Sequence, residues 1–213
     1  MNFLGILVRE LWHHKSLMRI YLNRTLAGYT LTGRTLDVGC GSDLHYLDFM
    51  PRAAGMSMDI LEHKQGSTVD FEKDPLPYET GTYDTLIILN VLEHIYHYAH
   101  LVGEVHRVLK DGGTLVGYTP FLIRYHPDPH DFFRYTDEAL RKILEEGGFT
   151  TVRIEPVGEG PFSAALNVFV LSIPRVVRVP GALLALACDR VFIRLRPHAR
   201  AVYPLGYFFV AIK

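Results

Sequence analysis

The sequence predicts an α/β fold with a mostly parallel sheet and helices on both of its faces, and three observations carry that expectation. Short apolar runs recur through the middle of the chain and end in polar or turn residues. Stretches of helical periodicity fill the longer gaps between them, the alternation that builds βαβ units. The runs are continuously apolar, as strands buried on both faces are.

The elements follow in order. Residues 3 to 26 place Phe3, Ile6, Leu7, Leu11, Leu17, Met18, Tyr21 and Leu22 at mostly helical spacing, which predicts one or two amphipathic helices ahead of the sheet. Beyond Gly33 the runs become strand-like: RTLDV from 34, GMSMDI from 55, STVDF from 67, YDTLIILN from 83 and GGTLVGYTP from 112. AHLVGEVHRVLKDGG, residues 99 to 113, sets Leu101, Val102, Val105, Val108 and Leu109 on one helical face and closes with basic residues and a glycine stop. YTDEALRKILEEGGF predicts a second helix, with Thr136 as N-cap, Asp137 and Glu138 complementing the dipole of the first turn, and Gly147 as C-cap. TTVRIEPV from 150 and LGYFFVAIK from 205 read as closing strands, the last rich in aromatic and branched residues, which brings the expected total to seven. Between them, residues 161 to 200 form a basic, apolar segment broken by Pro174, Pro180 and Gly181, read as an inserted helical hairpin.

Composition narrows the class. A chain of 213 residues is long enough to bury one core, so a single domain spanning 1–213 is expected: N-terminal helices at 1–30, a core at 34–157, the insertion at 161–200 and the last strand at 205–213. Hydrophobic residues at 48%, with twelve Tyr and twelve Phe, exclude a disordered chain. Cys40 and Cys188 lie far apart, so neither a disulfide framework nor a thiolate metal site is expected, and a reducing cytoplasm is the natural setting. The apolar opening is interrupted by Arg9 and Glu10 and reads as no signal peptide, and the longest later apolar runs, about 13 residues, fall short of the roughly 20 a membrane span needs. The formal charge of −1 argues against a nucleic-acid partner.

The chemistry concentrates around TLDVGCGSD, residues 35 to 43. A buried strand running into an acid and two glycines is how an α/β sheet stops at a ligand. Gly39 and Gly41 let the backbone turn and approach that ligand closely. A dinucleotide fingerprint starting at Gly39 needs glycine at position 44, which is Leu44. A nicotinamide-dependent oxidoreductase is therefore the runner-up. Asp37 precedes the loop, Asp59 ends the second run and Asp70 ends the third. Three carboxylates around one pocket would repel a pyrophosphate but suit a nucleoside that carries positive charge.

Four ordered motifs, LDVGCGSD, MDI, DFEKDPLPYETGTYDTLIILNVLEHI and HRVLKDGGTLVGYTPF, resemble the class I methyltransferases that use S-adenosylmethionine, in particular the small-molecule group called type 11. The resemblance covers about residues 34 to 155 and the last strand. It implies a Rossmann-like methyltransferase fold with seven strands, the last antiparallel. It also implies that Gly39 and Gly41 flank the methionine portion of S-adenosylmethionine with Asp37 supporting the loop. Asp59 with Ile60 would take the ribose, Asp70 and the backbone N–H of Phe71 the adenine, and Asn90 the methionine amine. The chain departs from the family pattern at Asp43, where a small residue is common.

Two clusters face the expected acceptor side. NVLEHIYHYAH puts Glu93, His94, His97 and His100 after the fourth run, with His94 best placed. RYHPDPHDFFRYT, from Arg124 to Thr136, resembles an HDxxRxT feature of the same group. It nominates His126 and His130 as bases or acceptor-positioning groups. The competing structural role pairs Asp131 with Arg134 to hold the loop while the histidines bond backbone carbonyls. His126, Asp128, His130 and Asp131 could in principle ligate a metal, but zinc sites usually draw on a longer span, so none is expected. The segment 161–200 carries six arginines against Asp189, a charge of +5 that leaves about −6 for the rest. It is read as a lid or homodimer contact over the acceptor pocket, or as a peripheral contact with the inner face of a membrane. The acceptor expected is a small molecule, a saccharide or a lipid-linked glycan. A non-catalytic, cofactor-binding protein at a membrane surface is the alternative from another class.

Overall fold

Two amphipathic helices, α1 (Phe3–Trp12) and α2 (Leu17–Leu26), open the computed structural model, which describes residues 3–39, 44–62 and 69–213. Ser16 separates them, its hydroxyl accepting from the Arg19 N–H as the N-cap of α2. The sheet is built from β1 (Arg34–Val38), β2 (Ser57–Leu61), β3 (Tyr83–Leu89), β4 (Leu109–Pro120), β5 (Thr151–Val157) and β6 (Gly206–Ile212), in the order β2-β1-β3-β4-β6-β5. Strands β1 to β4 run parallel, and β6 is antiparallel to both β4 and β5. After β1 the chain adds β2 on one side and then crosses back to place β3 on the other. This reversal opens a crevice at the carboxyl ends of β1 and β3.

Burial explains the continuous apolar runs. Along β3, Leu86 and Ile88 face one core layer while Ile87 and Leu89 face the other. The first layer is covered by α3 (Tyr98–Val108) and α4 (Asp137–Glu146), the second by α1, α2, α5 (Pro161–Phe169) and α6 (Arg175–Leu195). The expected caps of α4 are present, Thr136 accepting from the Ala139 N–H and Gly147 ending the helix. At Gly117, paired with Phe209, a Cβ would lie 2.0 Å from the Phe209 ring, so only glycine lets β4 and β6 pack in this register.

Two expectations change. The sheet has six strands rather than seven among the described residues. Residues 67 and 68 of the expected third strand lie outside them, and Val69 to Phe71 are irregular or in a turn. There Asp70 bonds its own neighbourhood: Oδ1 accepts from the Glu72 N–H and its carbonyl from the N–H groups of Lys73 and Asp74. This local alternative competes with a ladder. The second change is at α3, which stops at Val108 because Leu109 pairs with Tyr83 as the first residue of β4.

The expected insertion is helical, consisting of α5, α6 and a final turn, α7 (Ala199–Val202). Its charges are partly internal. Asp189, 1% exposed, accepts from the backbone N–H groups of Phe162 and Ser163 and so caps the start of α5 from α6. Arg178, 3% exposed, donates to the carbonyls of Leu171 and Ile173 and meets Nδ1 of His14. The insertion thus docks on the N-terminal helices, and Asn167 links it to Met18 and to Leu122, just beyond β4. None of the described helices is long and apolar enough to cross a membrane.

Candidate active site

At the crevice the carboxyl ends of three adjacent strands leave polar atoms buried and unbonded: Asp37 Oδ2 on β1, Asn90 Oδ1 after β3, and the hydroxyls of Tyr118 and Thr119 on β4. Buried polar groups are normally paired, so such a group of orphans is what a polar ligand completes. Burial alone pushes the Asp37 carboxyl up to about 8, leaving it largely protonated at neutral pH. Gly39, next to it, has φ of +85°, and a Cβ there would lie 2.5 Å from the Val91 side chain. Its N–H donates to the Leu61 carbonyl, tying the turn to the end of β2. Asn90 also takes a left-handed conformation, φ +55°, a strained backbone found most often at functional turns. The structure therefore brings Asp37, Gly39 and Asn90 to one opening. Gly41 lies outside the described residues, as do Cys40 and Asp43.

Of the residues expected to hold the nucleoside, Asp59 and Asp70 have bonds of their own. Asp59 pairs with Leu36, in the middle of β1, and its Oδ2 accepts from Arg34 and from the Tyr83 hydroxyl, both at the amino-terminal ends of their strands. The Tyr83 and Arg34 hydrogen bonds hold its carboxyl below the usual range. Ile60 pairs with Asp37 and is exposed. Asp70 forms an ion pair with Lys73 at 2.8 Å, and the Phe71 ring is buried in the core layer under α3. Asp70 nevertheless lines a groove of about 530 Å³ together with His94 and His130. That groove, which His97 also lines, joins one expected nucleoside ligand to three expected acceptor-side histidines.

The histidine cluster is built around a residue that the sequence reading named but did not single out. Glu93 is completely buried in the short turn after β3, and neither of its carboxylate oxygens has a hydrogen-bond partner. Burial pushes it up to about 8. His94 Nε2 lies 3.7 Å and His126 Nε2 3.9 Å from Glu93 Oε1. His94 Nδ1 sits 2.5 Å from the His130 carbonyl, a contact in which the ring nitrogen donates. The His94 and His126 rings meet edge to face with centroids 5.1 Å apart. Asp131 and Arg134 form the expected pair, and Asp131 also accepts from the His126 N–H and lies 3.4 Å from His126 Nδ1. Those bonds, first the one from Arg134, hold the Asp131 carboxyl far below the usual range. His130 is exposed and stacks on Phe132. The signal for Glu93 was available: an acid between Leu92 and His94, in an otherwise apolar run, has no solvent to turn to.

A family model described as a methyltransferase domain matches residues 11–154. The ubiquinone biosynthesis O-methyltransferase of Paraburkholderia xenovorans is 27% identical over 168 residues, covering 70% of this chain and 71% of that protein. Among solved structures, phosphoethanolamine N-methyltransferase 2 of Haemonchus contortus, in complex with S-adenosyl-L-methionine, superposes with a TM-score of 0.57 at 13% identity, covering 90% of this chain and 52% of that one. The 1,6-didemethyltoxoflavin-N1-methyltransferase of Burkholderia thailandensis, with S-adenosylhomocysteine bound, gives 0.53 at 14% identity, covering 96% and 81%. These structural likenesses show the fold.

Proposed function

We propose that this chain, which belongs to the methyltransferase-domain family and is an S-adenosylmethionine-dependent methyltransferase, methylates a hydroxyl group of a small-molecule acceptor. The observation that carries the acceptor reading is the groove beside Asp70, lined by His94 and His130 and backed by the buried Glu93. A hydroxyl, unlike a thioether or a carbanion, needs a group that takes its proton as it reacts. The P. xenovorans relative, an O-methyltransferase by name, points the same way.

S-adenosylmethionine supplies a methyl group already activated by its sulfonium. The residues present fit it, because the orphaned oxygens of Asp37 and Asn90 at the Gly39 turn want donors, and the cofactor's methionine amine is one. Gly39 and Gly41 would carry the loop around that portion, and Asn90 would accept from the amine. Asp59, with Ile60 beside it, is assigned to the ribose, and Asp70 and Phe71 to the adenine. All three bonds from Arg34 and Tyr83 fall on Asp59 Oδ2, which leaves Oδ1 for the ribose hydroxyls. On the acceptor side His130, exposed at the groove, takes the hydroxyl proton. His94 and His126 position the acceptor, held in turn by the His130 carbonyl and by Asp131. Holding the reacting oxygen about 3 to 3.5 Å from its target and aligned with it supplies most of the acceleration such a transfer needs.

The test is a screen of small molecules from cell extract with an isotopically labelled methyl donor, products being identified by mass spectrometry. Methyl ethers are the expected products, lost in His130→Ala with cofactor affinity retained. N-methylated products, or none from any extract, would overturn the acceptor assignment.

A further inference from the structure

Three ligand atoms converge behind the groove without hydrogen bonds of their own to one another. Glu93, His94 and His126 each offer one ligand atom, and these atoms lie within 4.8 Å of one another. Glu93 is fully buried, and both of its oxygens lack partners, so it is an unpaired carboxyl aimed into the cluster. His94 has its other nitrogen held from behind, whereas His126 Nδ1 makes no hydrogen bond. His94 Nδ1 donates to the His130 carbonyl at 2.5 Å, and His126 Nδ1 faces Asp131 Oδ2 at 3.4 Å, with Asp131 itself fixed by Arg134. At His94 this arrangement, an outer carbonyl setting the tautomer so that Nε2 presents its lone pair inward, is how metal-binding histidines are held.

We propose that Glu93, His94 and His126 form a binding site for a divalent transition metal, zinc being the best match, with an open coordination position toward the groove. Two imidazoles and one carboxylate suit zinc, which in open sites takes three protein ligands plus water or substrate. Zinc bonds of about 2.0 to 2.1 Å in tetrahedral geometry place neighbouring ligand atoms roughly 3.3 Å apart. The observed separations of 3.7 and 3.9 Å from Glu93 Oε1 would close by about half an ångström, and the three ligand atoms lie within 4.8 Å of one another before any ion draws them together. The ion would also supply the charge that a buried carboxylate lacks here. The set differs from the His126, Asp128, His130 and Asp131 combination of the 126–131 loop, since the Asp128 and His130 side chains are exposed and offer no ligand atom to it. His94 lines the groove, so the open position would receive the oxygen of a hydroxylated acceptor. That last step rests on the methyltransferase reading, whereas the metal site does not.

Calorimetric titration of the chelator-stripped protein with Zn²⁺, in the absence of methyl donor and acceptor, tests the site directly. One equivalent is expected, and Glu93→Gln and His126→Ala should each weaken it roughly 100-fold, since ligand removal is a loss of binding energy. Asp128→Ala should bind as the parent chain does. Circular dichroism checks that each variant is folded, and Co²⁺ substitution adds a second readout, a visible absorption of nitrogen-coordinated cobalt that the two ligand variants lose. Binding no tighter in the parent chain than in Glu93→Gln, or abolished by Asp128→Ala, would overturn the proposal. Because no donor is present, failure here leaves the methyl-transfer screen unaffected, and failure of that screen leaves the titration standing.

Discussion

A carboxyl that is held protonated by its surroundings leaves a signature in the pH dependence of stability, and Asp37 provides one. Its ordinary value lies near 3.9, and burial raises it to about 8 in the fold. Between those values the folded chain binds a proton that the unfolded chain has released, so stability falls as pH rises, by up to about 1.4 kcal/mol per pH unit, until about pH 8. Asp37→Asn removes this term. Thermal melts from pH 5 to pH 8.5 should show the parent chain losing stability relative to the variant, and parallel curves would contradict the assignment. Asp59 gives a second test at this scale. If its free Oδ1 takes the ribose, Asp59→Ala weakens S-adenosylmethionine at least tenfold, while Arg34→Ala, which removes the competing cation on Oδ2 and its contact with the Tyr83 ring, does not. Calorimetry with both variants decides it; equal weakening would place Asp59 in a structural role. Asp37 and Gly39 stood out in the sequence because they close a buried run, whereas Asp59 lies mid-strand in a partly exposed one. The Arg34 and Tyr83 contacts were not legible there, since they depend on strand pairing across 25 and 24 positions.

Elements differ in how much of their end chemistry is local. Thr136 and Gly147 could be read directly because a cap and its helix are contiguous in sequence. The start of α5 could not, because its capping carboxylate comes from Asp189, 26 residues beyond Ser163. Asp189→Ala should therefore act as the loss of a buried cap rather than of a surface charge, costing about 2 kcal/mol in chemical denaturation. A change below half a kilocalorie would contradict that role. The expected third strand failed for a related reason: Asp70 satisfies the backbone N–H of Glu72 with its own side chain, and apolar content alone does not reveal that competition. Gly117 shows the opposite case, a strand residue whose smallness serves a partner. Gly117→Ala, overpacking against Phe209, should cost a few kcal/mol by the same measurement.

At the scale of the molecule, strand order does what no single motif can. By reversing between β1 and β3 it sets Asp37, Gly39 and Asn90 at one opening and hangs the turn with Glu93 and His94 over the groove. The alternation of apolar runs revealed that architecture. What it left open was how the loop from Arg124 to Tyr135 folds back so that Phe132 donates to the Glu93 carbonyl and His126 meets Glu93. The insertion adds a second layer of this kind, its Arg178 meeting His14 in the turn after α1 and its remaining arginines outward. The central claim is that the Gly39 turn cradles S-adenosylmethionine, and titration calorimetry on the parent chain and on Gly39→Ala tests it most directly. One-to-one binding that weakens at least tenfold in the variant, with its circular dichroism unchanged, is the expected result. Equal affinity in both proteins, or no binding to the parent chain, would contradict it.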